Sequence, residues 1–499
     1  MVSKNEGMSV FQEYGIVTAP QPTRSIRKAA IRAHAEKIAR SRDRWREKNA
    51  AYYADDLAYM RFLVPEGARI LDLGCGTGTL LAGLNPARGI GVDFSHEMIE
   101  VARRAHPSLE FHVADVEDMT AMKENLQGPF DFILLSDTLG YLDDCQANLE
   151  GLHDFCHPET RIVIAYYSHL WEPVLRAGEA LGLKMPQPEV NFLGAKDIES
   201  LLHLADFELI KAEWRQLVPR RLFGLDSVIN RYIGTLPLIR RICLRHYVVA
   251  RSLRQVVRCD LSATVVIPCR NERGNIESAL LRLPRFCNDI EVIFVEGNSS
   301  DGTYEECERI RDKYAGVWDI KILKQPGKGK GDAVRAGFRA ARGDVLMILD
   351  ADLTMPPEEL PKYYKAVSTG KGEFINGTRL VYPMEKGAMR FLNYWANRAF
   401  AVIFSFLLNQ RFTDTLCGTK VLTKQSYGKI RRGQSYFGKF DPFGDFDLIF
   451  GASKNNLRIL EVPIRYADRS YGQTQINRFR DGWLLLRMVL FAWRKLKAI

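Results

Sequence analysis

Residues 70–78 read ILDLGCGTG, an apolar run that leads into three alternating glycines. Glycine lets the backbone turn tightly and approach a ligand closely because it carries no Cβ atom. A parallel sheet presents such a loop at the carboxyl ends of its strands, where ligands bind. The stretch therefore predicts a strand, a ligand-binding loop and an α/β sheet.

Short apolar runs alternate with helical patterns on both sides of this loop. Strands are predicted at 69–73, 89–93, 109–113, 130–135, 161–165 and 247–250. This alternation favours a parallel sheet covered on both faces by helices. A second alternation, with strands at 263–267, 291–295, 320–323 and 345–349, predicts a second α/β domain beyond a boundary near 253–261.

Composition agrees with two folded domains. Of the 499 residues, 46% are hydrophobic and 26% are charged, which excludes a mainly disordered chain or a collagen-like repeat. A formal net charge of +10 favours an anionic partner such as a nucleotide, a phospholipid or a nucleic acid. The nine cysteines are scattered without CxxC spacing, which argues against a zinc site and fits a reducing cytoplasm.

Two segments are strongly basic. Residues 24–50 carry ten Lys and Arg against three acids, and we interpret them as a solvated helix leading into the first domain. Residues 213–258 carry ten Arg against two acids. The predicted organisation is a basic extension over 1–50, a first domain over 51–255, and a second domain over 261–499 that ends in an amphipathic helix.

No signal peptide or transmembrane helix is predicted. The stretches 391–408 and 483–493 combine aromatic and aliphatic residues with nearby cations, a pattern typical of helices at a membrane interface. Core packing or a dimer contact is the alternative. We therefore expect a cytoplasmic protein that associates peripherally with an anionic membrane surface.

Two acids strengthen the glycine loop as a nucleotide site. Asp93 ends the next predicted strand, 21 residues after Asp72, where a carboxylate can accept both hydroxyls of a ribose. Asp115 follows the third strand and could accept a hydrogen bond from an adenine amino group.

The GxGxG pattern, with an acid two residues before its first glycine, resembles class I S-adenosylmethionine-dependent methyltransferases over about residues 50–250. The resemblance implies that Asp72 approaches the methionine part of S-adenosylmethionine, that Asp93 holds the ribose, and that Met98 packs near the adenine. The predicted cofactor-binding set is Asp72, Gly74, Gly76, Gly78, Asp93, Met98, Asp115, Val116 and Ser136.

The methyl acceptor is less defined. The fourth strand is followed by no NPPY-like sequence, which favours a small or lipid-linked acceptor over a nucleic-acid amino group. His153, His157 and His169 are candidate bases for O-methylation, although a lone histidine more often has a structural role.

The second domain carries the motif Asp350-Ala351-Asp352 directly after an apolar strand. Two carboxylates at a strand end can bind one divalent ion that bridges a diphosphate, and hard oxygen ligands suit Mg²⁺ or Mn²⁺. Loops after the neighbouring strands and before the next helix add polar residues that should gather at the same edge. These substrate-binding candidates are Pro268, Arg270, Glu272, Glu296, Asn298, Asp301, Lys330, Asp332 and Ala351.

This set resembles family 2 glycosyltransferases of the GT-A fold over about residues 261–475, and within them the polyprenyl-phosphate sugar transferases such as dolichol-phosphate mannosyltransferases. The resemblance implies a nucleotide sugar donor, GDP-mannose or a UDP-hexose, and a polyprenyl phosphate acceptor. It places Glu272 and Glu296 on the base or ribose and Asp350 and Asp352 on the metal. Phosphate and acceptor contacts fall to Arg379, Arg390, Asp414, Arg469 and Thr474.

Three positions depart from that family pattern. Glu296-Gly297 stands where Asp-Asp is common, Thr354 stands where a third metal ligand is often Gln, and Gln475 stands where Lys often follows Thr474. The base preference, the number of metal ligands and the phosphate contact therefore stay open.

The acceptor decides whether the glycosyl transfer needs a base. A polyprenyl phosphate, with a second pKa of about 6, is largely ionised at neutral pH and can attack the sugar directly. A hydroxyl acceptor needs a general base, for which Asp445 and Asp447 are the candidates. A single displacement inverts the anomeric centre in either case.

The leading hypothesis is a bifunctional transferase that transfers a methyl group and a sugar within one pathway. A glycosyltransferase that extends a polysaccharide or O-antigen hydroxyl is the first alternative. A chain in which one domain only binds and scaffolds is the second. Nucleic-acid binding is not predicted, since the chain shows no base-stacking module.

Overall fold

The computed structural model describes residues 26–188, 190–256, 260–382, 391–438, 444–467, 469, 471 and 478–499. These residues form two α/β units, each built on a seven-stranded sheet. This arrangement confirms the predicted fold class of two Rossmann-like domains.

The first sheet consists of β1 (Arg69–Leu73), β2 (Arg88–Asp93), β3 (Glu110–Val113), β4 (Phe130–Ser136), β5 (Cys156–Tyr167), β6 (Phe207–Arg215) and β7 (Arg245–Ser252). Its strand order is β3-β2-β1-β4-β5-β7-β6. Its helices are α1 (Ile26–Ile38), α2 (Arg42–Lys48), α3 (Ala50–Leu63), α4 (Thr79–Gly83), α5 (His96–Ala105), α6 (Met119–Asn125), α7 (Cys145–Gly151), α8 (Glu172–Ala180), α9 (Ala195–Leu204) and α10 (Leu225–Val228).

The second sheet consists of β8 (Ala263–Cys269), β9 (Ile290–Glu296), β10 (Asp319–Lys324), β11 (Val345–Ile348), β12 (Phe374–Thr378), β13 (Lys420–Thr423) and β14 (Ile459–Pro463). Its order is β10-β9-β8-β11-β13-β12-β14. Its helices are α11 (Ile276–Leu281), α12 (Thr303–Lys313), α13 (Lys330–Ala340), α14 (Leu360–Ser368), α15 (Phe391–Leu408), α16 (Lys424–Arg432), α17 (Gln434–Phe437), α18 (Phe446–Lys454) and α19 (Arg478–Ala492).

The prediction of a parallel sheet in the first domain is wrong for one strand, and the second sheet also has one antiparallel strand. β7 runs antiparallel to β5 and β6, and β13 runs antiparallel to β11 and β12. The strands next to the predicted ligand loops, β1 with β2 and β4 and β8 with β9 and β11, are parallel as expected. Their carboxyl ends therefore meet at one edge of each sheet.

Buried charges join the two halves. Arg161 on β5 is 2% exposed, pairs with Glu373 at 2.6 Å, and donates to the carbonyl of Asn456 at 2.9 Å. Glu213 on β6 pairs with Lys497 and with Arg240, the latter at 3.1 Å. The pairs Arg161–Glu373 and Glu213–Lys497 cross between the halves, and removing one partner of either would leave an uncompensated buried charge at a cost of about 3–5 kcal/mol.

Among the described residues, no helix combines the length and the apolarity that crossing a bilayer requires.

Candidate active sites

A cavity of about 440 Å³ lies at the carboxyl edge of the first sheet. Seven of the nine predicted cofactor residues line it, and Gly76 and Gly78 belong to the loop that supports it. The seven are Asp72, Gly74, Asp93, Met98, Asp115, Val116 and Ser136.

The glycine loop follows β1 in a conformation that favours glycine. Gly74, Gly76 and Gly78 all have positive φ, between 55° and 77°. A Cβ atom on Gly74 would lie 2.5 Å from Thr138 Oγ1, so a side chain would not fit there. The loop can therefore bring its backbone close to a ligand.

Asp93 is fixed at the end of β2 by two backbone donors. The Gly76 N–H donates to its Oδ2 and the Ser95 N–H donates to its Oδ1, both at 2.9 Å. Each oxygen keeps a lone pair free to accept from a ligand hydroxyl. Burial raises the pKa of the nearby Asp72 carboxyl to about 7, and the charge of Asp93 adds to this rise.

The N-terminal helices form one wall of the cavity. Lys28 on α1 pairs with Asp115 at 2.5 Å, and the guanidinium of Arg42 lies next to Gly76. Glu36 accepts hydrogen bonds from the first N–H groups of α5, those of His96 and Glu97, at 3.0 and 2.9 Å. The basic segment at 24–50, interpreted from the sequence as a solvated helix, thus contacts the predicted cofactor site. Its Lys28 pairs with Asp115, the residue predicted to accept a hydrogen bond from the adenine amino group.

Aromatic rings and a buried arginine line another side of the cavity. Arg245 on β7 is 1% exposed, bonds Asp56 Oδ1 at 3.1 Å and Ser136 Oγ at 2.9 Å, and pairs with Asp137. Tyr141 and Tyr167 also line this side. Of these residues the sequence predicted only Ser136, because Arg245 lies about 170 residues from the glycine loop.

The three candidate histidine bases do not line the cavity. Both ring nitrogens of His153 are bonded, to Ser252 Oγ and to the carbonyl of Ala205, each at 2.6 Å. His157 bonds Asp131 at 3.1 Å.

The second site lies where β8, β9 and β11 end. Asp350 pairs with Lys330 at 2.6 Å, and Asp352 pairs with Arg469 at 2.6 Å. Arg469 also reaches Glu272 Oε1 at 3.4 Å. Burial alone would lower the pKa of Lys330, but the carboxylates of Asp350 and Asp445 raise it above its usual value. Two carboxylates and two cations therefore converge, an arrangement suited to a polyanionic ligand.

Hydrogen bonds between loops hold the rest of this edge. The N–H groups of Asn271 and Glu272 donate to Ser299 Oγ and Thr303 Oγ1, both at 3.0 Å, which ties the loop after β8 to the loop after β9. Asp301 accepts from Thr303 Oγ1 at 2.5 Å. The other predicted substrate residues lie at or after the ends of β8 and β9 (Pro268, Arg270, Glu296 and Asn298), after β11 (Ala351) and in the first turn of α13 (Asp332).

The donor set fits a hard divalent cation. Among the described residues, no group of three or more His, Cys, Asp or Glu side chains converges on one point. Asp350 and Asp352, which follow β11, supply two carboxylates, hard oxygen donors of the kind that suit Mg²⁺ or Mn²⁺. Thr354 donates to Asp352 Oδ1 at 2.9 Å and so orients that carboxylate. A Cβ atom on Gly418 would lie 1.9 Å from Asp350 Oδ2, so only glycine fits against it.

Arg379 and Asp414 form a buried pair. Arg379 donates from Nε and from its terminal nitrogen to the two oxygens of Asp414, at 2.6 and 2.9 Å. Asn397 also donates to Asp414, at 3.0 Å. Burial would raise the pKa of Asp414, but the guanidinium lowers it to about 2. Arg379 was predicted to contact phosphate, and two of its N–H groups thus donate to Asp414.

The two candidate bases differ in their surroundings. Asp445 is 8% exposed, lies 3.8 Å from Lys420 Nζ, and its Oδ1 has no hydrogen-bond partner among the described residues. Asp447, in the first turn of α18, pairs with Arg335 at 3.2 Å. Arg390 and Thr474 lie outside the described residues, so their predicted roles stay predictions.

Family models match both halves of the chain. Residues 45–212 match the model described as a methyltransferase domain, and residues 264–431 match glycosyl transferase family 2. The chain joins a methyltransferase domain to a family 2 glycosyltransferase domain. This confirms both resemblances on which the sequence analysis depended.

Individual relatives match parts of this two-domain chain. A dolichol-phosphate mannosyltransferase of Pyrococcus furiosus is 35% identical over 24% of this chain and 34% of its own length. A low-salt glycan biosynthesis hexosyltransferase of Haloferax volcanii is 26% identical over 46% of this chain and 54% of its own length. A SAM-dependent methyltransferase of Thermotoga maritima has 17% identity and a TM-score of 0.34, over 44% of this chain and 99% of that structure. The chain thus spans about a third to a half of the length of these two curated relatives.

Proposed function

We propose that the methyltransferase domain uses S-adenosylmethionine, and that the glycosyltransferase domain moves a sugar from a nucleotide sugar to a polyprenyl phosphate at a membrane surface. The observation that carries the sugar-transfer proposal is the convergence of Asp350 and Asp352 with Lys330 and Arg469 at the carboxyl edge of the second sheet. The name of the Pyrococcus relative supports a lipid phosphate as acceptor.

In the glycosyltransferase domain, Asp350 and Asp352 would hold a divalent cation, which would neutralise the diphosphate of the leaving group. Lys330 and Arg469 already pair with these carboxylates and can contact phosphate oxygens from the same positions. Glu272 and Glu296, both buried near the ends of neighbouring strands, would accept hydrogen bonds from the nucleoside. The acceptor then attacks the sugar from the opposite face and inverts its configuration.

In the methyltransferase domain, S-adenosylmethionine would supply an electrophilic methyl group. Asp93 would accept from the ribose hydroxyls, and the loop of Gly74 would approach the methionine part. The side of the cavity formed by Arg245, Tyr141 and Tyr167 is available to orient the acceptor. The domain's contribution is binding and orientation for in-line transfer.

Mass spectrometry tests both proposed reactions at once. The protein is incubated with lipid extract, Mn²⁺, S-adenosylmethionine and labelled GDP-mannose or UDP-hexose. The expected products are a polyprenyl phosphate that gains one hexose and an acceptor that gains 14 mass units, the difference of about one CH₂. Label recovered only in water-soluble glycans would contradict the lipid acceptor.

A phosphate acceptor makes a general base unnecessary. Asp447→Asn, which keeps the shape of the side chain next to Arg335, should therefore retain sugar transfer within about tenfold of the native protein. Asp445→Asn should do so too, and initial rates with a short-chain polyprenyl phosphate measure both. A loss of about a thousandfold in Asp445→Asn, with unchanged donor binding, would contradict a self-sufficient acceptor.

One observation favours the hydroxyl alternative. The Oδ1 of Asp445 is buried, lies 3.8 Å from Lys420 Nζ, accepts no hydrogen bond from the described part of the chain, and could accept a proton from an acceptor hydroxyl. Transfer to a soluble oligosaccharide that collapses in Asp445→Asn would support a polysaccharide-extending enzyme.

The raised pKa of Asp72 predicts a pH-dependent cofactor affinity. Near its pKa of about 7 the carboxyl changes from neutral to charged as pH rises, and the charged form attracts the ammonium and sulfonium groups of the ligand. Affinity should therefore rise up to about tenfold per pH unit below 7 and level off above it. Calorimetry from pH 5.5 to 8.5 measures this, and Asp72→Asn should bind weakly with a flat profile. An equally steep profile in Asp72→Asn would assign the effect to another group.

A further inference from the structure

The connection between β6 and β7, residues 216–244, is an unusually apolar part of the surface of the methyltransferase domain. It contains α10, a short helical turn at Ile229–Ile233 and another at Ile239–Ile242. Large apolar side chains are exposed throughout it, and Phe223 is fully exposed. Representative members are Leu222, Phe223, Leu225, Leu236, Leu238 and Ile242. Exposed apolar side chains concentrated in one segment point to an interaction site.

The connection is held in place by polar contacts directed inward. Asn230 is 8% exposed, accepts from the Val218 N–H at 2.8 Å and donates to Asp55 at 2.8 Å. Asp226, 7% exposed, accepts from the Leu222 N–H at 2.9 Å. Polar groups are therefore buried while leucines face outward, the reverse of an ordinary surface loop. The exposed apolar side chains therefore belong to a segment that hydrogen bonds hold in a defined conformation.

The exposed charges of the connection are all positive. Arg220, Arg221, Arg231 and Arg241 are exposed, and the only acid between residues 217 and 243 is the buried Asp226. Apolar side chains flanked by arginines complement an anionic lipid headgroup layer. A second copy of the chain docked about a two-fold axis would instead place these arginines against one another.

The same surface continues onto the glycosyltransferase domain. The ring of Tyr232 lies 5.6 Å from that of Trp493, which follows α19, and Arg240 lies 4.9 Å from the ring of Phe406 on α15. On α19 the side chains of Trp483 and Leu490 are more than half exposed. The connection and α19 therefore border each other and both present apolar side chains.

We propose that the β6–β7 connection is a docking element for anionic bilayers, and that with α19 it seats both domains on one membrane surface. The leucines and Phe223 would enter the interfacial layer while Arg220 and Arg221 contact lipid phosphates. The inference deepens the proposed use of a lipid-linked acceptor, on which it rests for its purpose. Vesicle binding itself can be measured without any acceptor.

The test is cosedimentation of the full chain with vesicles of phosphatidylcholine alone or with phosphatidylglycerol. The native protein should bind the anionic vesicles at low salt and release at high salt. Phe223→Ser/Leu238→Ser should lower the partition constant at least tenfold. Leu281→Ser/Val317→Ser, which changes two exposed apolar residues elsewhere on the second domain, is the matched control and should bind as the native protein does.

Arg220→Glu/Arg221→Glu is a second variant that leaves the apolar side chains in place. It should also lose at least tenfold on anionic vesicles, and thermal unfolding checks that each variant is folded. Equal binding by the native protein and both folded variants would overturn the proposal. A native dimer without vesicles that Phe223→Ser/Leu238→Ser dissociates would overturn it in favour of a second copy.

Failure of the proposed function has a different outcome. Vesicle binding that requires Phe223 and Leu238, with no sugar transfer to any polyprenyl phosphate, would support the docking element and contradict only the acceptor. Sugar transfer to a short, water-soluble polyprenyl phosphate with no vesicle binding would contradict the docking element and the membrane location, and would support the proposed acceptor.

Discussion

Asp352→Asn should reduce sugar transfer by at least about a thousandfold, because loss of one of two carboxylates weakens the cation and leaves the diphosphate charge poorly neutralised. The substitution also removes the ion pair of Asp352 with Arg469 at 2.6 Å, so the metal requirement has to be measured to separate these two roles of the carboxylate. If the carboxylate binds the cation, the variant should need far more Mn²⁺ for its residual rate. Initial rates over a Mn²⁺ titration measure this.

Glu358→Gln is the matched control for Asp352→Asn. Glu358 is an exposed acid that also pairs with an arginine, Arg282, at 2.8 Å, but on the outer surface of the domain. It should leave the rate and the Mn²⁺ requirement unchanged. Full activity of the native protein in EDTA, or of Asp352→Asn at low Mn²⁺, would show that the metal assignment is wrong.

Asp93→Asn should weaken S-adenosylmethionine binding by about a hundredfold or more. The substitution replaces one acceptor oxygen by an NH₂ group, which cannot accept from the ribose and would meet the N–H of Gly76 or Ser95. A buried polar group left without a partner adds to the loss of charge-assisted hydrogen bonds. Isothermal calorimetry on the folded variant measures the dissociation constant.

Asp154→Asn serves as the control in the same domain. Asp154 is about half exposed and pairs with Lys123, away from the cavity. Its substitution should leave the dissociation constant within about twofold. Unchanged affinity in Asp93→Asn would rule out Asp93 as the ribose ligand, and no binding by the native protein would contradict the cofactor itself.

Much of the fold was predictable because local patterns were strong near the ligand loops. The strands before the glycine loop and before Asp350 are short apolar runs, and the structure has them within a few residues of the predicted bounds. β6 was missed because it contains Lys211, Glu213 and Arg215, which read as surface residues. The structure buries all three, because the second half of the chain covers them.

Site residues were predictable only where they belong to a short motif directly after a predicted strand. The residues that line the first cavity after β1, β2 and β3 follow strand ends, a position visible in the sequence. Lys28 and Arg42 gave no such indication, because a basic helix reads the same whether its cations face water or a cavity. Pairs such as Arg469 with Asp352 join residues more than 100 apart, and only the folded chain brings them together.

The buried pairs between the halves bear on how two reactions can be combined. Opening a hinge between the domains would break the pairs of Arg161 with Glu373 and of Glu213 with Lys497 and would expose the hydrophobic cluster that both halves share, so large domain rotations carry a high free-energy cost. Neither catalytic centre can then deliver a bound product to the other by moving. An acceptor that is modified at both centres has to dissociate from one and diffuse to the other. The order of methylation and glycosylation then depends on whether each centre accepts the unmodified acceptor or the product of the other centre.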